Sequence, residues 1–440
     1  MLGRIMLIVG ALLAGTVLIG LIAFQSGRYP APSPHDGTLA LTGARLVDGT
    51  HGEPLANATI LVRNERIQAV GPASNVEIPD NAKVRDLAGM TVLPGLIDSH
   101  VHFGVPEAPS YEAYQNVSIP SIIWRTARMF PSHRRAFIQN GVTSIKSVGD
   151  VYPWIVNVKR SIANANLGGP RVFAAGPVFT APGGHPVSTI YQGNDYLIEN
   201  AARQVDDPKR ARQEVQALAQ GGVDFIKAIY EAGGPQNELP RLDPQVLKAI
   251  IDEAHAQGLK VTVHTSTPSE VRDVVELGAD GIEHGVTNGE SLSEETIQLL
   301  SERNVAYDPT LSVIEAQVEL TDRPTEVLKE AQATVKALDQ AGVTIVAGTD
   351  VGNPGLKFGP SLHRELELLV ESGMTSKEAI QAATRNAARW LEGDDLGTVE
   401  PRKLADLTIV AGNPLDDIAQ TRQVRMVIKD GTVVFDQLTD

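Results

Sequence analysis

Side chains able to hold a metal ion recur at corresponding places along the chain. Asp98-Ser99-His100-Val101-His102 sets two imidazoles two residues apart, and on an extended backbone such residues face the same way, so both can converge on one ion. Among ten histidines in 440 residues a His-x-His pair alone carries little weight. Position gives it weight, because Val263-His264, Glu283-His284 and Gly348-Thr349-Asp350 each put a further ligand type just past a short apolar run. Lys227, in Phe225-Ile226-Lys227, stands at the same kind of place. The chain has no cysteine, which excludes disulfides and thiolate ligands and leaves imidazole, carboxylate or a modified side chain to build any transition-metal site. Ligands of these kinds suit zinc, manganese or iron. The chemistry open to such a site is hydrolysis, since a bound cation lowers the pKa of a water to about 7 and polarises the carbonyl to be attacked.

Scattered ligands cooperate only if the fold brings their strand ends to one rim. From residue 242 to 350 strand and helix signals alternate. Asp243-Pro244 is an N-cap followed by proline at the first helical position, and Gly258 ends that helix; residues 259–263 then form a strand. Thr267-Pro268 starts the next helix and Gly278 stops it before a short strand over 281–283. Ser293 caps a third helix leading to a strand over 305–307, and a helix over about 325–341 stops at Gly342 before a strand over 343–347. Earlier strands are expected over 92–97, 143–148, 171–175 and 223–228. Eight such units make a closed (β/α)8 barrel, in which function sits at the C-terminal ends of the strands. An open doubly wound sheet is disfavoured because no glycine-rich nucleotide loop follows any strand.

Short β-rich runs separated by turn residues occupy 38–90, and similar runs over 405–410, 424–429 and 432–435, with Asp430-Gly431 as a hairpin turn, occupy the far end. They predict one discontinuous β-sandwich built from both ends of the globular region. The expected organisation is therefore a membrane anchor over 1–28, a proline-rich linker over 29–37, sandwich over 38–90, barrel over 91–392 and sandwich again over 393–440. The anchor rests on residues 5–24, which carry no charge and are long enough as a helix to cross the roughly 30 Å hydrocarbon layer. No Ala-x-Ala site follows, so cleaved secretion is the lesser alternative. Arg4 would keep the short amino end cytoplasmic and place the catalytic body outside the cytoplasm, periplasmic or extracellular. The net charge of −15 argues against nucleic acid as a partner and leaves a small molecule.

The segment Val92-Leu93-Pro94-Gly95-Leu96-Ile97-Asp98-Ser99-His100-Val101-His102 resembles the opening motif of the amidohydrolase superfamily. Residues 38–434 resemble its imidazolonepropionase and Xaa-Pro dipeptidase-like branch, through Glu283-His284-Gly285, Gly348-Thr349-Asp350, 382–388 and Lys403-Leu404-Ala405-Asp406-Leu407. Pro401-Arg402 departs from the branch, where glycine is commoner, and affects only a turn. The resemblance implies two divalent cations, zinc foremost: His100, His102 and Asp350 would hold one, His264 and His284 the other. Lys227 would bridge them as a carbamate formed with carbon dioxide, since an ammonium could not sit beside two cations whereas a carboxylated lysine is an anion with two oxygens. It further implies that Asp350 shuttles the proton and that His185, in Pro182-Gly183-Gly184-His185, and Tyr230 contact the substrate. The implied reaction is hydrolysis of an amide bond in a small substrate, a dipeptide or N-acyl amino acid first. A cyclic amide or a lactone is the enzymatic alternative. A catalytically inactive, membrane-held binding protein is the non-enzymatic one, which the complete ligand set opposes. Homo-oligomers are common in the branch.

Overall fold

The computed structural model describes residues 29–33, 37–105, 110, 119–234 and 237–438. Its larger unit is a TIM-like barrel of parallel strands. Leu96–Val101 pairs with Val142–Ser147, which pairs with Arg171–Ala174; Phe225–Ile229, Lys260–His264, Gly281–Glu283 and Ala306–Asp308 follow in order, each parallel to the one before. The third strand is broken at Gly176, whose φ of +73° turns the chain. Arg171–Ala174 serves the second strand, while Val178–Thr180 meets the fourth, Phe179 lying opposite Ala228. The eighth position is held by parallel bridges, Tyr307 to Ile345 and Val101 to Val351. The Ser99 amide donates to the Ala347 carbonyl at 2.9 Å and the Asp350 amide to the His100 carbonyl at 2.9 Å, so the ring closes.

The helices between these strands begin and end where local chemistry dictates. The Asp243 side chain accepts from the Gln245 amide at the start of Pro244–Ala256, which turns Val246, Leu247, Ile250, Ile251 and Ala254 inward along one face. Thr267 and Glu270 form a reciprocal capping box on Pro268–Leu277, and Gly278, at φ +100°, ends that helix. Each aliphatic side chain buried this way contributes about 1.5–3 kcal/mol relative to exposure.

Both ends of the chain build one eight-stranded sheet, and not two facing sheets as expected. Thr38–Leu46, Leu55–Arg63, Arg66–Pro72, Lys83–Asp86 and Met90–Pro94 supply one part, Leu407–Ala411, Val424–Lys429 and Thr432–Asp436 the other. The seam is the antiparallel pairing of Met90–Pro94 with Leu407–Ala411. Alternation divides the side chains on either side of that seam between two cores. Val92, Leu407, Ile409, Met426 and Ile428 face the sheet's own apolar cluster with Leu39 and Leu41, whereas Leu93, Val410 and Val427 join the barrel core. A single sheet therefore does the work of a sandwich, because the barrel covers its second face.

The strand expected over 92–97 is in fact two. Met90–Pro94 belongs to the side sheet and Leu96–Val101 to the barrel, with Gly95 between them. A Cβ at Gly95 would stand 2.1 Å from Thr143 Oγ1, so only glycine lets the chain pass that point. Both halves are buried, and a continuous apolar run hides the junction.

Residues 1–28, with the apolar segment read as an anchor, lie outside the described residues, as do 34–36 of the expected linker. Among the described residues no helix is long and apolar enough to cross a membrane. The start of the linker is not a loose tether. The Tyr29 carbonyl accepts from Arg134 Nη1 at 2.9 Å and from the Gly168 amide at 2.8 Å, and the Arg134 and Arg135 guanidinium groups lie 5.8 and 5.4 Å from its ring centre.

Candidate metal centre

A cavity of about 460 Å³ opens at the C-terminal ends of the barrel strands, and His100, His102, Lys227, His264, His284 and Asp350 all line it. They arrive from five separate strands. His100 lies in the first and His102 just past it, Lys227 in the fourth, His264 at the end of the fifth, His284 after the sixth and Asp350 after the eighth. His102 Nε2 stands 3.1 Å and His100 Nε2 3.4 Å from Asp350 Oδ1, and His284 Nδ1 is 4.0 Å from Asp350 Oδ2. The His100 and His284 ring centres are 4.7 Å apart, those of His264 and His284 4.6 Å. His284 and Asp350 both adopt left-handed backbone, at φ 63° and 60°. Such conformations are costly outside glycine and persist where surrounding bonds impose them. Here the His284 amide donates to the Asp308 carbonyl at 2.8 Å, and Gly285 must be glycine because a Cβ there would meet the Tyr307 hydroxyl at 1.7 Å.

Each of the four candidate ligand imidazoles has one nitrogen in a hydrogen bond. His102 Nδ1 donates to the Gly149 carbonyl at 3.1 Å, His100 Nδ1 to Glu283 Oε2 at 2.6 Å and His264 Nε2 to Glu231 Oε2 at 3.1 Å, while His284 Nδ1 meets Thr310 Oγ1 at 2.7 Å. For His100 and His102 these partners lie outside the cavity lining, and they fix the tautomer and leave Nε2 to face Asp350. Lone pairs on His100 Nε2 and His102 Nε2 consequently face Asp350 Oδ1, a buried oxygen with no hydrogen bond despite its close neighbours. Acceptors facing one another repel unless a cation sits among them. Burial first, and the Lys227 charge second, push His100 down to about 4, which keeps its ring neutral and able to ligate.

Lys227 Nζ is also buried without a hydrogen-bond partner, and burial pushes its amine down to about 8. The donors His100, His102 and Asp350 thus fit a cation, and Lys227, His264 and His284 line the same cavity.

Glu283 and Lys146 were not foreseen. Glu283 Oε1 takes a 2.5 Å contact from Lys146 Nζ and a hydrogen bond from Thr262 Oγ1, all three groups buried. Burial alone would raise the Glu283 pKa, but Lys146, Lys227 and His100 outweigh it and hold the carboxylate ionised beneath His100. The readable sign was a lone lysine inside the strand Val142–Ser147, all six residues of which are buried.

His185 lines the cavity, its ring stacked on His264 at 5.1 Å and its Nδ1 2.8 Å from Thr189 Oγ1. Burial and the nearby His264 push it down to about 4. Tyr230 does not reach the cavity. Its hydroxyl donates to Asp273 Oδ2 at 3.2 Å, and Arg241 sits 4.4 Å from its ring centre. Strand parity explains this, because Lys227, Ile229 and Glu231 line the cavity and the residue between the last two must point away. Glu231, unforeseen, stands where Tyr230 was expected. His264, with Glu270 of its own helix cap nearby in sequence, takes its partner from the loop after the fourth strand and not from its own segment.

A model of the amidohydrolase family matches residues 91–434. The chain belongs to the amidohydrolase family. Ochratoxinase of Aspergillus niger is 27% identical over 427 residues, covering 90% of this chain and 86% of that protein. Imidazolonepropionase of Cutibacterium acnes is 26% identical over 374 residues, 81% and 84% of the two chains. A solved Xaa-Pro dipeptidase with methionine bound in its active site superposes with a TM-score of 0.77 at 28% identity, over 90% of this chain and 99% of that one. As an amidohydrolase the protein is a hydrolase of carbon–nitrogen bonds in small molecules, and the metal dependence general in the family agrees with the cluster of His100, His102 and Asp350, whose ligand atoms lie within 4.8 Å of one another.

Proposed function

We propose that this amidohydrolase cleaves the amide bond of a dipeptide or N-acyl amino acid, using two divalent cations, zinc foremost. His100, His102 and Asp350 would hold one cation and His264 and His284 the other, with Lys227 bridging as a carbamate. The observation that carries this reading is the orphaned Lys227 Nζ, a buried amine with no hydrogen-bond partner in a cavity lined by five imidazoles. Carboxylation is balanced chemistry: the neutral amine attacks the carbon of carbon dioxide, an N–C bond forms, and one proton leaves to give an anion.

When bound, the cations would supply Lewis acidity to the attacking water and to the carbonyl. Asp350 does the proton work. Its carboxylate takes the proton released by the attacking water and returns it to the departing nitrogen, as general base and then general acid. His185, pushed towards its neutral form by burial and steadied by Thr189, would donate from its Nε2 to the carbonyl oxygen. The apolar wall that includes Val178, Ile190 and Ile229 keeps bulk water from the leaving group.

The purified chain, dialysed free of loose metal and then loaded with zinc in bicarbonate, is expected to hold two cations and to hydrolyse members of a panel of dipeptides and N-acyl amino acids. Elemental analysis finding no cation taken up, together with silence across the panel, would sink the reading in favour of a binding protein.

The uncharged stretch over residues 5–24 supports a membrane-held enzyme with its catalytic body outside the cytoplasm. Full-length protein is then expected in the membrane fraction after an alkaline carbonate wash. Its recovery in the supernatant, intact from residue 1, contradicts the anchor.

A further inference from the structure

Thr310 stands at the N-cap position of the helix Leu311–Leu320, yet its side chain does not cap that helix. Thr267, Ser293 and Thr375 use the same position to accept from an amide of their own helix. The Thr310 hydroxyl lies instead 2.7 Å from His284 Nδ1, which leaves Nε2 of that ring for a cation. Its backbone holds φ 44°, in left-handed space that a β-branched residue enters only where its surroundings impose it. Bonds able to impose it come from Glu365, fully buried in the helix Pro360–Glu371. Glu365 Oε1 accepts from the Leu311 amide at 3.0 Å and Oε2 from the Ser312 amide at 2.7 Å, so a remote carboxylate does the capping that Thr310 gives up. One residue earlier, Arg364 grips Glu315 through Nε at 2.9 Å and Nη2 at 2.6 Å, fastening the next turn of the same helix. Burying a carboxylate is costly, and a hydroxyl is enough to cap a helix. What two oxygens add is a fixed place for both amides, and hence for the residue just before them.

We propose that Glu365 is a positioning residue for the second cation: by clamping the amides of Leu311 and Ser312 it keeps Thr310 in left-handed backbone and the Thr310 hydroxyl against His284. The inference rests on the two-cation reading above and adds to it a residue that lies outside the cavity lining.

The test reads zinc affinity by competition with a chelator, in bicarbonate, with His264→Ala marking which of the two binding steps belongs to His264 and His284. Native protein is expected to bind two zinc ions. Glu365→Gln leaves one of the two amides facing a donor. It is expected to weaken the second step by at least about tenfold, the loss typical when the group orienting a ligand imidazole is removed, while the first stays within about twofold. Thr310→Ala should weaken the same step to a similar degree, and Thr310→Ser, which keeps the hydroxyl, should hold it within about threefold of native. Since Glu365 acts through Thr310, the double variant should be no more than about threefold weaker than either single one. An unchanged second step in Glu365→Gln, equal loss at both steps, or additive losses in the double variant overturns the proposal and leaves the two-cation reading in place. Native protein that takes up fewer than two ions removes that reading, and the proposal with it. Should Glu365→Gln not fold, hydrogen exchange on the native chain decides. Coupling between the clamp and the cation is reciprocal, so the amides of Leu311 and Ser312 must exchange at least about threefold faster with one zinc bound than with two, and equal rates overturn the proposal.

Discussion

Asp350→Asn is expected to lower kcat by about a thousandfold, within the range for removing a general acid–base group, while leaving the fold intact. Asparagine is the informative replacement for two reasons. It keeps the size of the side chain, and it is among the few non-glycine residues at ease in the left-handed region that Asp350 occupies at φ 60°. What it cannot do is carry a proton away from water and hand it to a leaving nitrogen. It also removes the negative charge that the inward nitrogens of His100 and His102 face, so affinity for one of the two cations should fall together with kcat. Measuring kcat at saturating zinc separates the two effects, because a purely structural ligand would be rescued by excess metal and a proton carrier would not. Turnover within tenfold of native under saturating zinc would remove Asp350 from the mechanism. Asp98 makes a useful contrast. It is equally buried, but Thr349 Oγ1 at 2.8 Å and the amides of Thr349 and His100 at 3.1 and 3.3 Å occupy its oxygens, so it ties the first and eighth strands together and has no capacity left for a substrate.

How far the site could be read from the chain depended on what each residue needs in order to be noticed. His100, His102, His264, His284 and Asp350 were visible because ligand types at strand ends repeat with the strand–helix period, and caps such as Thr267-Pro268 and terminators such as Gly278 mark that period locally. The barrel followed from the same signals. Its seam with the side sheet did not, since residues 92–97 read as one apolar run and the division at Gly95 is set by Thr143, far away in sequence. The expected sandwich reduced to one sheet for a related reason: alternation shows that a strand has two buried faces without showing what covers each. Tyr230 was misplaced by relying on resemblance where counting in twos from Lys227 points to Glu231. Glu283 and Lys146 escaped because their meaning lies in a contact between the second and sixth strands, 137 positions apart, that no local pattern announces.

Those two buried lysines lead to the sharpest expectation about the metal centre. Lys146 and Lys227 are both almost wholly enclosed by the barrel, yet their nitrogens differ in kind. Lys146 Nζ lies 2.5 Å from Glu283 and 4.1 Å from the centre of the Trp390 ring, contacts that suit an ammonium. Lys227 Nζ has no acceptor, and an ammonium without one is a poor tenant of a buried site. A carbamate on Lys227 would turn a buried amine without a hydrogen-bond partner into an anion with two oxygens, which two neighbouring cations would require. Lys227→Ala is therefore expected to bind one zinc instead of two and to lose at least about a hundredfold in kcat, the upper end of what loss of a mere outer-shell partner costs. Protein prepared with carbon-13 bicarbonate should show a carbamate carbon resonance that is absent from Lys227→Ala and present in Lys146→Met. Acetate, small enough to enter the space left by the side chain and carrying the same pair of oxygens, should restore part of the lost activity to Lys227→Ala and none to Asp350→Asn. If Lys227→Ala keeps both cations and native turnover, the bridge does not exist and the imidazoles of His264 and His284 must find their third partner elsewhere in the cavity.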